Sequence, residues 1–357
     1  MKEYPKPLTI EDLDNVSSPE DIVFCKCCGQ FYYMDDVVWM EEEGASGFAA
    51  CKQCGDILES TQTEQRLFFR NKIWFGSLQF REWNNVESLG ELEEIHGIFD
   101  IRYSPKPTSL GKLKRIEGKA NLVGTNIDDL SPLEFVGYSL VLGSSKVRSL
   151  GTLEYIGEDL SASDSMLEDL GNLKYVGKNA LLSGTGISSL SKLEHVGTCL
   201  YANNTKVNSL GSLKTVGQCL GLSGTGVKEV DRFEDSECHF GLADNRMDSP
   251  GAIVHAGGIN LVNTTIESLG NLERIDYEFL GKGLNTKSLS NLKYVGGTLD
   301  LRGSTIEDFG KLRYVGENLY LPDRLRGHLQ LKNIEVKGCT RFYKPEFKHE
   351  TQSVRRI

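Results

Sequence analysis

Hydrophobic residues recur in this chain with a period of twenty residues. A leucine, which we define as repeat position 1, is followed by apolar residues at positions 4, 7, 11, 13 and 18, glycine at 2 and 8, and a hydroxyl at 16. The leucine stands at Leu110, Leu130, Leu150, Leu170, Leu190, Leu210, Leu269 and Leu289, with Val230 and Phe309 as substitutes. A constant period this short predicts a solenoid, in which each coil buries its apolar side chains only against neighbouring coils.

Each coil is predicted to contribute one β-strand around repeat positions 11 to 13. The run Leu140-Val141-Leu142 is typical of this segment, and such strands stack in parallel about 4.8 Å apart. Glycine at position 8 is expected to supply the bend that closes so short a coil. The hydroxyl at position 16 is expected to bond backbone groups of the adjacent coil. With a first coil at Leu89, the pattern predicts about twelve coils.

Repeat position 6 is aromatic in several coils and leaves two interpretations open. The residues are Phe135, Tyr155, Tyr175, His195, Tyr294 and Tyr314. The rings either stack into a ladder that holds the coils together or form a stripe that docks a partner. Position 5 beside them carries opposite charges in some successive coils, as at Glu154 and Lys174. This pattern favours weak ion pairs from coil to coil.

Side chains at positions 10, 12 and 14 are predicted to face out of the sheet, because strand side chains alternate between its two faces. Most of them are small, neutral and polar. A close-fitting protein partner would use the larger ones as anchors, although an unused surface is an equal alternative. The candidate partner-binding residues on this expected concave sheet are Leu181, Tyr201, Asn203, His239, Asp300, Arg302 and Tyr320.

Residues 86–321 resemble the short bacterial class of leucine-rich repeats, through the Leu-x-Leu strand followed by a polar and then an apolar residue. The chain departs from that family because Thr or Ser fills the polar position, with the familiar Asn only at Asn245. Glycine also stands where some of these proteins carry proline. Residues 295–301 are similar to the receptor L domain as well. The resemblance implies a β-rich solenoid, protein binding, and a bacterial or bacteriophage source.

Five of the nine cysteines cluster near the N-terminus. Cys25 and Cys28 form one Cys-x-x-Cys-Gly turn, Cys51 and Cys54 form another, and 22 residues separate the two turns. Four thiolates at this spacing predict one closed, structural zinc site without an open position for catalysis. Cys27 is left as a spare thiol.

The segment between the two cysteine turns is predicted to form a short hairpin that ends near Gly44 and Gly47. No histidine precedes His96, which excludes a Cys/His finger. The cysteine pattern resembles zinc-ribbon and treble-clef modules, which bind nucleic acid, bind proteins or brace a fold, so the resemblance implies the metal and not the function. Residues 65–83 interleave aromatic and basic side chains. They either bind a nucleic-acid strand or plug the first coil.

Charge is distributed unevenly along the chain. Residues 1–83 carry 8 basic and 15 acidic side chains, a net charge of −7, whereas residues 322–357 carry 9 and 4, a net charge of +5. The body between them carries 23 and 31, a net charge of −8. An acidic body disfavours nucleic-acid binding, which depends on phosphate neutralisation. No apolar run suits a membrane span or a signal peptide, and clustered thiols suit a reducing compartment, so we expect a cytoplasmic protein.

Motifs of a phosphate-binding loop, a nucleophile elbow or a zinc protease are missing from the sequence. We therefore predict an α+β zinc-binding domain and aromatic cap over residues 1–83, a leucine-rich-repeat solenoid over residues 84–321, and a basic C-terminal cap and tail over residues 322–357. The predicted function is a non-enzymatic module that binds a protein partner. The alternative is a nucleic-acid-associated subunit that uses the zinc domain and the basic tail.

Overall fold

The computed structural model describes residues 22–25, 31–42, 45–52, 72–79, 88–231, 233 and 237–344. The chain divides into two compact units, Met1–Gly217 and Gln218–Ile357. Both contain coils of a parallel β-solenoid with turns of about twenty residues. Within the described ranges, no helix is both long enough and apolar enough to cross a membrane.

The N-terminal part of the first unit contains two antiparallel strand pairs. The elements are β1 (Ile22–Phe24), β2 (Phe31–Tyr33), a 3₁₀ turn (Met34–Asp36), β3 (Val37–Glu42) and β4 (Ala45–Cys51). Strand β1 pairs with β2, and β3 pairs with β4. The hairpin predicted between the cysteine turns is therefore present as β3 and β4, with its turn between Glu42 and Ala45.

The solenoid coils of the first unit form two parallel sheets. The strands are β5 (Ile73–Phe75), β6 (Leu78–Gln79), β7 (Glu94–His96), β8 (Phe99–Asp100), β9 (Arg115–Ile116), β10 (Ala120–Asn121), β11 (Phe135–Val136), β12 (Leu140–Val141), β13 (Tyr155–Ile156), β14 (Leu160–Ser161), β15 (Tyr175–Val176), β16 (Ala180–Leu181), β17 (His195–Val196), β18 (Cys199–Tyr201) and β19 (Thr215–Val216). The even-numbered strands from β6 form what we call the face sheet, and the odd-numbered strands from β5 form the flank sheet.

The second unit repeats this arrangement. Its strands are β20 (Cys219–Gly221), β21 (His239–Gly241), β22 (His255–Ala256), β23 (Gly258–Asn260), β24 (Arg274–Ile275), β25 (Phe279–Leu280), β26 (Tyr294–Val295), β27 (Leu299–Asp300), β28 (Tyr314–Val315), β29 (Leu319–Pro322), β30 (Glu335–Val336) and β31 (Thr340–Tyr343). Strands β20, β21, β23, β25, β27, β29 and β31 lie in its face sheet, and β22, β24, β26, β28 and β30 in its flank sheet. Two 3₁₀ turns, Asp323–Leu325 and Leu329–Asn333, lie between β29 and β30.

The prediction of one strand per coil is wrong, because each regular coil contributes a strand to both sheets. The flank strand occupies positions 6 and 7, as at Tyr155 and Ile156. Aromatic and β-branched residues at these positions suit a pleated backbone. The glycine that follows completes the ladder, since the Gly157 amide donates to the Val136 carbonyl oxygen at 2.9 Å.

Glycine at position 8 serves close packing between coils, and not the bend that the sequence suggested. These residues are not among those with a positive φ angle. A methyl group at Gly177 would overlap the carbonyl oxygen of Gly157 in the preceding coil. The bend lies instead at position 2, where Gly151 has φ of 57° and its amide donates to the Ser149 hydroxyl at 3.0 Å.

The predicted apolar positions form the core. Leu150, Leu153 and Ile156 of one coil have no exposed surface. The hydroxyl at position 16 is also buried, but it bonds within its own coil and not to the adjacent coil as expected. In one such coil the Thr185 hydroxyl donates to the Leu182 carbonyl oxygen at 2.7 Å. The left-handed backbone of Gly184, with φ of 73°, turns the chain back so that this bond can form.

The coils extend beyond the predicted limits at both described ends. Strands β5 and β6 precede Leu89, where the first coil was expected, and buried Trp74 fills the core position of β5. The burial of Trp74 agrees with the interpretation that this aromatic side chain plugs the first coil. Residues 65–71 and 80–83 lie outside the described ranges. At the other end, β30 and β31 add a further coil to the segment that was predicted to be a cap.

Candidate protein-binding surface

On the first unit, the predicted residues Leu181 and Tyr201 lie directly opposite each other in β16 and β18. Both are half-buried. The neighbouring Asn203 donates to the Ser183 hydroxyl from its backbone amide at 3.2 Å and from its side-chain Nδ2 at 3.4 Å. Polar side chains of this face sheet thus bond to each other from coil to coil, which leaves two apolar side chains side by side as the prominent feature of these three positions.

On the second unit, the predicted residue His239 spans neighbouring coils. Its imidazole lies over Gly258, where an added Cβ would come within 2.6 Å of Nδ1. The ring stacks on Tyr277 with 5.2 Å between centroids, and Nδ1 lies 3.9 Å from a Glu278 carboxylate oxygen. Tyr277 is 58% exposed, so this stacked pair presents an aromatic surface to solvent.

Three other predicted residues, Asp300, Arg302 and Tyr320, meet further along the second unit's face sheet. The buried Asp300 carboxylate accepts from Arg302 Nε at 2.9 Å and from Nη2 at 2.6 Å. This bidentate bond is the main cause that raises the pKa of Arg302. The guanidinium carbon lies 5.5 Å from the Tyr320 ring centroid and 5.2 Å from that of Tyr343. We call Asp300, Arg302, Tyr320 and Tyr343 the arginine cluster.

Tyr343 was missing from the prediction because it lies in β31, which the sequence assigned to a cap. Its ring packs edge-on against Tyr320, with 5.8 Å between centroids and 87° between planes. The alternation of residues along β31 could have revealed it. Arg341 pairs with Tyr320 of the preceding coil, and Tyr343 follows on the same strand. An equivalent Asp–Arg pair, Asp100 and Arg102 at 2.8 Å, lies on the first unit.

The aromatic residues at position 6 form stacked ladders in the flank sheets. Phe135, Tyr155 and Tyr175 stack with 4.9 Å between successive centroids and planes within 2° of parallel. The Arg115 guanidinium covers the first ring at 3.6 Å and is held by Glu117 at 2.6 Å. The ladder interpretation is therefore confirmed for these rings.

The charged residues beside the ladders pair between coils as expected. Lys174 binds Glu154 at 3.0 Å, and Lys293 binds Glu273 at 2.6 Å. Another pair joins Lys214 to the same-position glutamate of the coil before it. The paired side chains are largely exposed, so each contributes little to stability.

Replacing the central ladder ring tests how much the stacks stabilise the first unit. We expect Tyr155→Ala to lower the free energy of unfolding by about 1–2 kcal/mol, because it removes two stacked contacts. The change is measured by urea unfolding followed by far-UV circular dichroism. Tyr138→Ala is the matched control, since that ring is 57% exposed and has no stacking partner among the described residues. Equal losses in both variants would contradict a stabilising ladder.

An irregular coil in the second unit borders a shallow polar cleft. Leu284 fills position 16, so this coil lacks the hydroxyl there, and Thr286 occupies an apolar position two residues later. The cleft has a volume of about 410 Å³ and is lined by Glu267, Asn285, Thr286, Lys287, Ser288, Ser290 and Thr305. The lining residue Ser288 donates its hydroxyl to Asp308 at 2.6 Å, and hydrogen bonds from Ser288 and then Gln330 lower the pKa of Asp308.

The predicted zinc ligands are only partly within the described residues. Cys25 is buried directly after β1, and Cys51 ends β4. Cys28 and Cys54 lie outside the described ranges. In the part of the chain that the structure describes, no three His, Cys, Asp or Glu side chains are grouped as a metal site. The tetrathiolate site therefore stays a prediction from the cysteine spacing.

The comparisons with known proteins give no family assignment. The sequence matches no protein-family model and no curated protein. The solenoid fold therefore stands on the structure alone, and the function is inferred from its surfaces.

Proposed function

We propose that the protein is a non-enzymatic module that binds another protein through the face sheet of its second unit. In this proposal a leucine-rich-repeat type of solenoid presents the arginine cluster. One zinc ion bound by Cys25, Cys28, Cys51 and Cys54 stabilises the N-terminal region. The resemblance to short leucine-rich repeats supports a bacterial or bacteriophage protein, and the cysteine usage supports the cytoplasm.

The arginine cluster is the single observation that carries this proposal. Tyrosine and arginine are the side chains most enriched among residues that dominate binding energy. Arg302 is fixed by two bonds to a buried carboxylate, so little side-chain entropy remains to be lost on binding. Because Asp300 neutralises its charge, the cluster offers mainly ring surface and oriented donors. Such a surface suits a protein partner better than a phosphate backbone.

Substitution of Tyr320 tests this proposal. With the protein as bait, we expect Tyr320→Ala to weaken capture of the specific partner by about tenfold or more, which corresponds to about 1.4 kcal/mol or more. Nuclease-treated extract in about 0.5 M salt removes partners held only through phosphate contacts. Quantitative mass spectrometry of the captured proteins measures the change.

A matched variant separates the cluster from general surface effects. Arg102→Ala breaks the equivalent Asp–Arg pair of the first unit, and it is expected to leave capture unchanged. If Tyr320→Ala and Arg102→Ala retain the same partners in the same amounts as the unaltered protein, the arginine cluster is not the binding surface.

Nucleic-acid binding is the second candidate function, and a group of exposed cations favours it. Lys332, Arg341 and Lys344 are exposed at the end of the second unit, and none of them has a carboxylate partner among the described residues. Binding of a labelled 20-nucleotide single strand would weaken steeply with salt if these cations contact phosphates. Loss of every captured protein after nuclease treatment would favour this function over the first.

A further inference from the structure

The face sheet of the second unit ends in a strand with a free outer edge. Strand β31 pairs with β29 on one side and is the last strand of this sheet within the described ranges. In this stack the buried residue of each face strand donates its amide to the next coil, as Leu319 does to the Cys339 carbonyl oxygen at 3.0 Å. Thr340 and Phe342 hold the buried positions of β31, so their amides point to the outer edge. Such an edge is a template for one more strand.

The same end leaves apolar side chains uncovered. Val336 and Phe342 are half-buried, whereas their partners one coil earlier, Val315 and Leu321, have no exposed surface. Leu329 nearby is 76% exposed. The terminal coil of a repeat protein exposes a surface that is buried everywhere else in the array. A segment that paired with β31 would cover part of this surface.

Positive charge at this end selects what can pair with the edge. Residues 322–344 contain 6 basic and 2 acidic side chains, a net charge of +4, and both acids form ion pairs within the segment. The exposed cations Lys332, Arg341 and Lys344 therefore face solvent without compensation from these acids. Cations along an edge repel a second basic edge, and they attract an acidic segment.

Alternation along β31 sets the pattern that such a segment would carry. Arg341 pairs in register with Tyr320 and so lies on the outward face of the sheet, whereas Phe342 pairs with Leu321 on the inward face. A strand paired with β31 would place one set of alternate side chains beside Arg341 and the other set beside Phe342. Acidic residues complement the first position, and apolar residues complement the second.

We infer that the outer edge of β31 binds an extended segment of a partner protein in which acidic and apolar residues alternate. Backbone hydrogen bonds to the edge supply affinity, and the alternate side chains supply specificity. This inference rests on the proposed protein-binding function, because it names the part of the partner that lies next to the arginine cluster. The two surfaces are continuous through Tyr343, which belongs to β31.

A labelled peptide of about eight residues, with glutamate and valine in alternation and both ends blocked, tests the inference. Fluorescence anisotropy with the full-length protein is expected to show saturable binding with a dissociation constant below about 100 μM. The matched control peptide has the same side chains and N-methylated backbone amides, so it cannot donate to the edge. It is expected to bind at least about tenfold more weakly.

The variants Thr340→Pro and Thr340→Ala separate the edge from its side chain. Proline removes the outward amide and is tolerated where that amide has no ladder partner, and it is expected to weaken peptide binding at least about tenfold. Alanine keeps the amide and is expected to bind like the unaltered protein. Arg341→Glu is expected to weaken binding to a similar extent as proline. Lys206→Glu makes the same charge change at an exposed position of the first unit and is expected to have no effect. Circular dichroism confirms that each variant folds.

Several outcomes would overturn the inference. They are no peptide binding up to about 1 mM, equal binding of the methylated peptide, and equal binding by the two Thr340 variants. Binding only to a chain shortened to residue 344 would assign the edge to residues 345–357. Dimerisation that Thr340→Pro abolishes would assign it to a second copy. A single-stranded oligonucleotide that binds where the peptide does not would assign the cations to nucleic acid.

The result is distinguishable from failure of the proposed function, because Thr340 lies outside the arginine cluster. If the peptide does not bind but Tyr320→Ala still weakens capture of the partner, only this inference is overturned. If the peptide binds and Tyr320→Ala leaves capture unchanged, the edge is supported and the arginine cluster is rejected as the binding surface.

Discussion

Alanine at Gly177 is expected to destabilise the first unit by about 3 kcal/mol or more, the upper range for overpacking of a rigid site. Its Cβ would overlap the backbone carbonyl oxygen of Gly157. Backbone atoms cannot rotate away as a side chain does, so the two coils would have to separate. That separation would also weaken the bond from the Gly177 amide to the Ile156 carbonyl oxygen, now 2.9 Å long. The midpoint and slope of urea unfolding measure the loss.

Gly143 provides the matched control for this prediction. A Cβ there would meet only the Val123 Cγ2 atom, at 3.9 Å. Gly143→Ala is therefore expected to be neutral or to stabilise the protein by about 0.4–1 kcal/mol, since alanine restricts the unfolded chain. Similar losses at Gly143 and Gly177 would show that glycine is required for its backbone freedom and not for the close approach of coils.

Removal of zinc is expected to have the largest effect on the N-terminal region. The purified protein should contain about one equivalent of zinc, and structural sites of this kind contribute on the order of 10 kcal/mol to folding. Cys28→Ser should abolish metal binding, because three thiolates cannot close the site. We expect limited proteolysis then to cut within residues 22–52 while the coils from residue 88 onward stay protected. Elemental analysis and peptide mapping measure both effects.

Cys27→Ser is the control, since this thiol lies inside the first turn and outside the ligand spacing. It is expected to retain a full equivalent of zinc and the protease resistance of the unaltered protein. Metal-free protein with unchanged resistance would discard the tetrathiolate site. If Cys27→Ser loses zinc and Cys28→Ser does not, the metal ligand in the first turn is Cys27 and not Cys28.

The twenty-residue frame was sufficient to predict the core, because a buried position tolerates few residue types. Leu150 and Leu153 are buried where the period placed them. The second sheet was not predictable in the same way. A flank strand such as Tyr155–Ile156 has two residues, which is too short for an alternating pattern to emerge. The flank strand depends on hydrogen bonds from one coil to the next, and these bonds form only once the coils are stacked.

The residues of the candidate surface were predicted, but the contacts between them were not. Alternation along a strand placed Arg302 and Tyr320 on the outward face, as observed. The direction of the Arg302 side chain, which folds back onto Asp300, could not be read from alternation alone. Tyr343 was missed because its coil has lost the leucine frame, so only pairing with β29 reveals its position. The Thr185 hydroxyl was expected to bond to the adjacent coil but bonds within its own coil. That bond depends on a turn with positive φ, which a pattern of hydroxyl residues does not reveal.

The contact between glycines of successive coils has a consequence for how such a chain can change in length. Gly157, Gly177 and Gly197 each lie against the carbonyl oxygen of the glycine twenty residues earlier, in the same manner from coil to coil. Duplication or loss of one whole coil would therefore rejoin identical surfaces. A shift of a single residue would instead bring a side chain onto a carbonyl oxygen. Gene segments encoding complete turns are thus the natural units by which this array would lengthen or shorten.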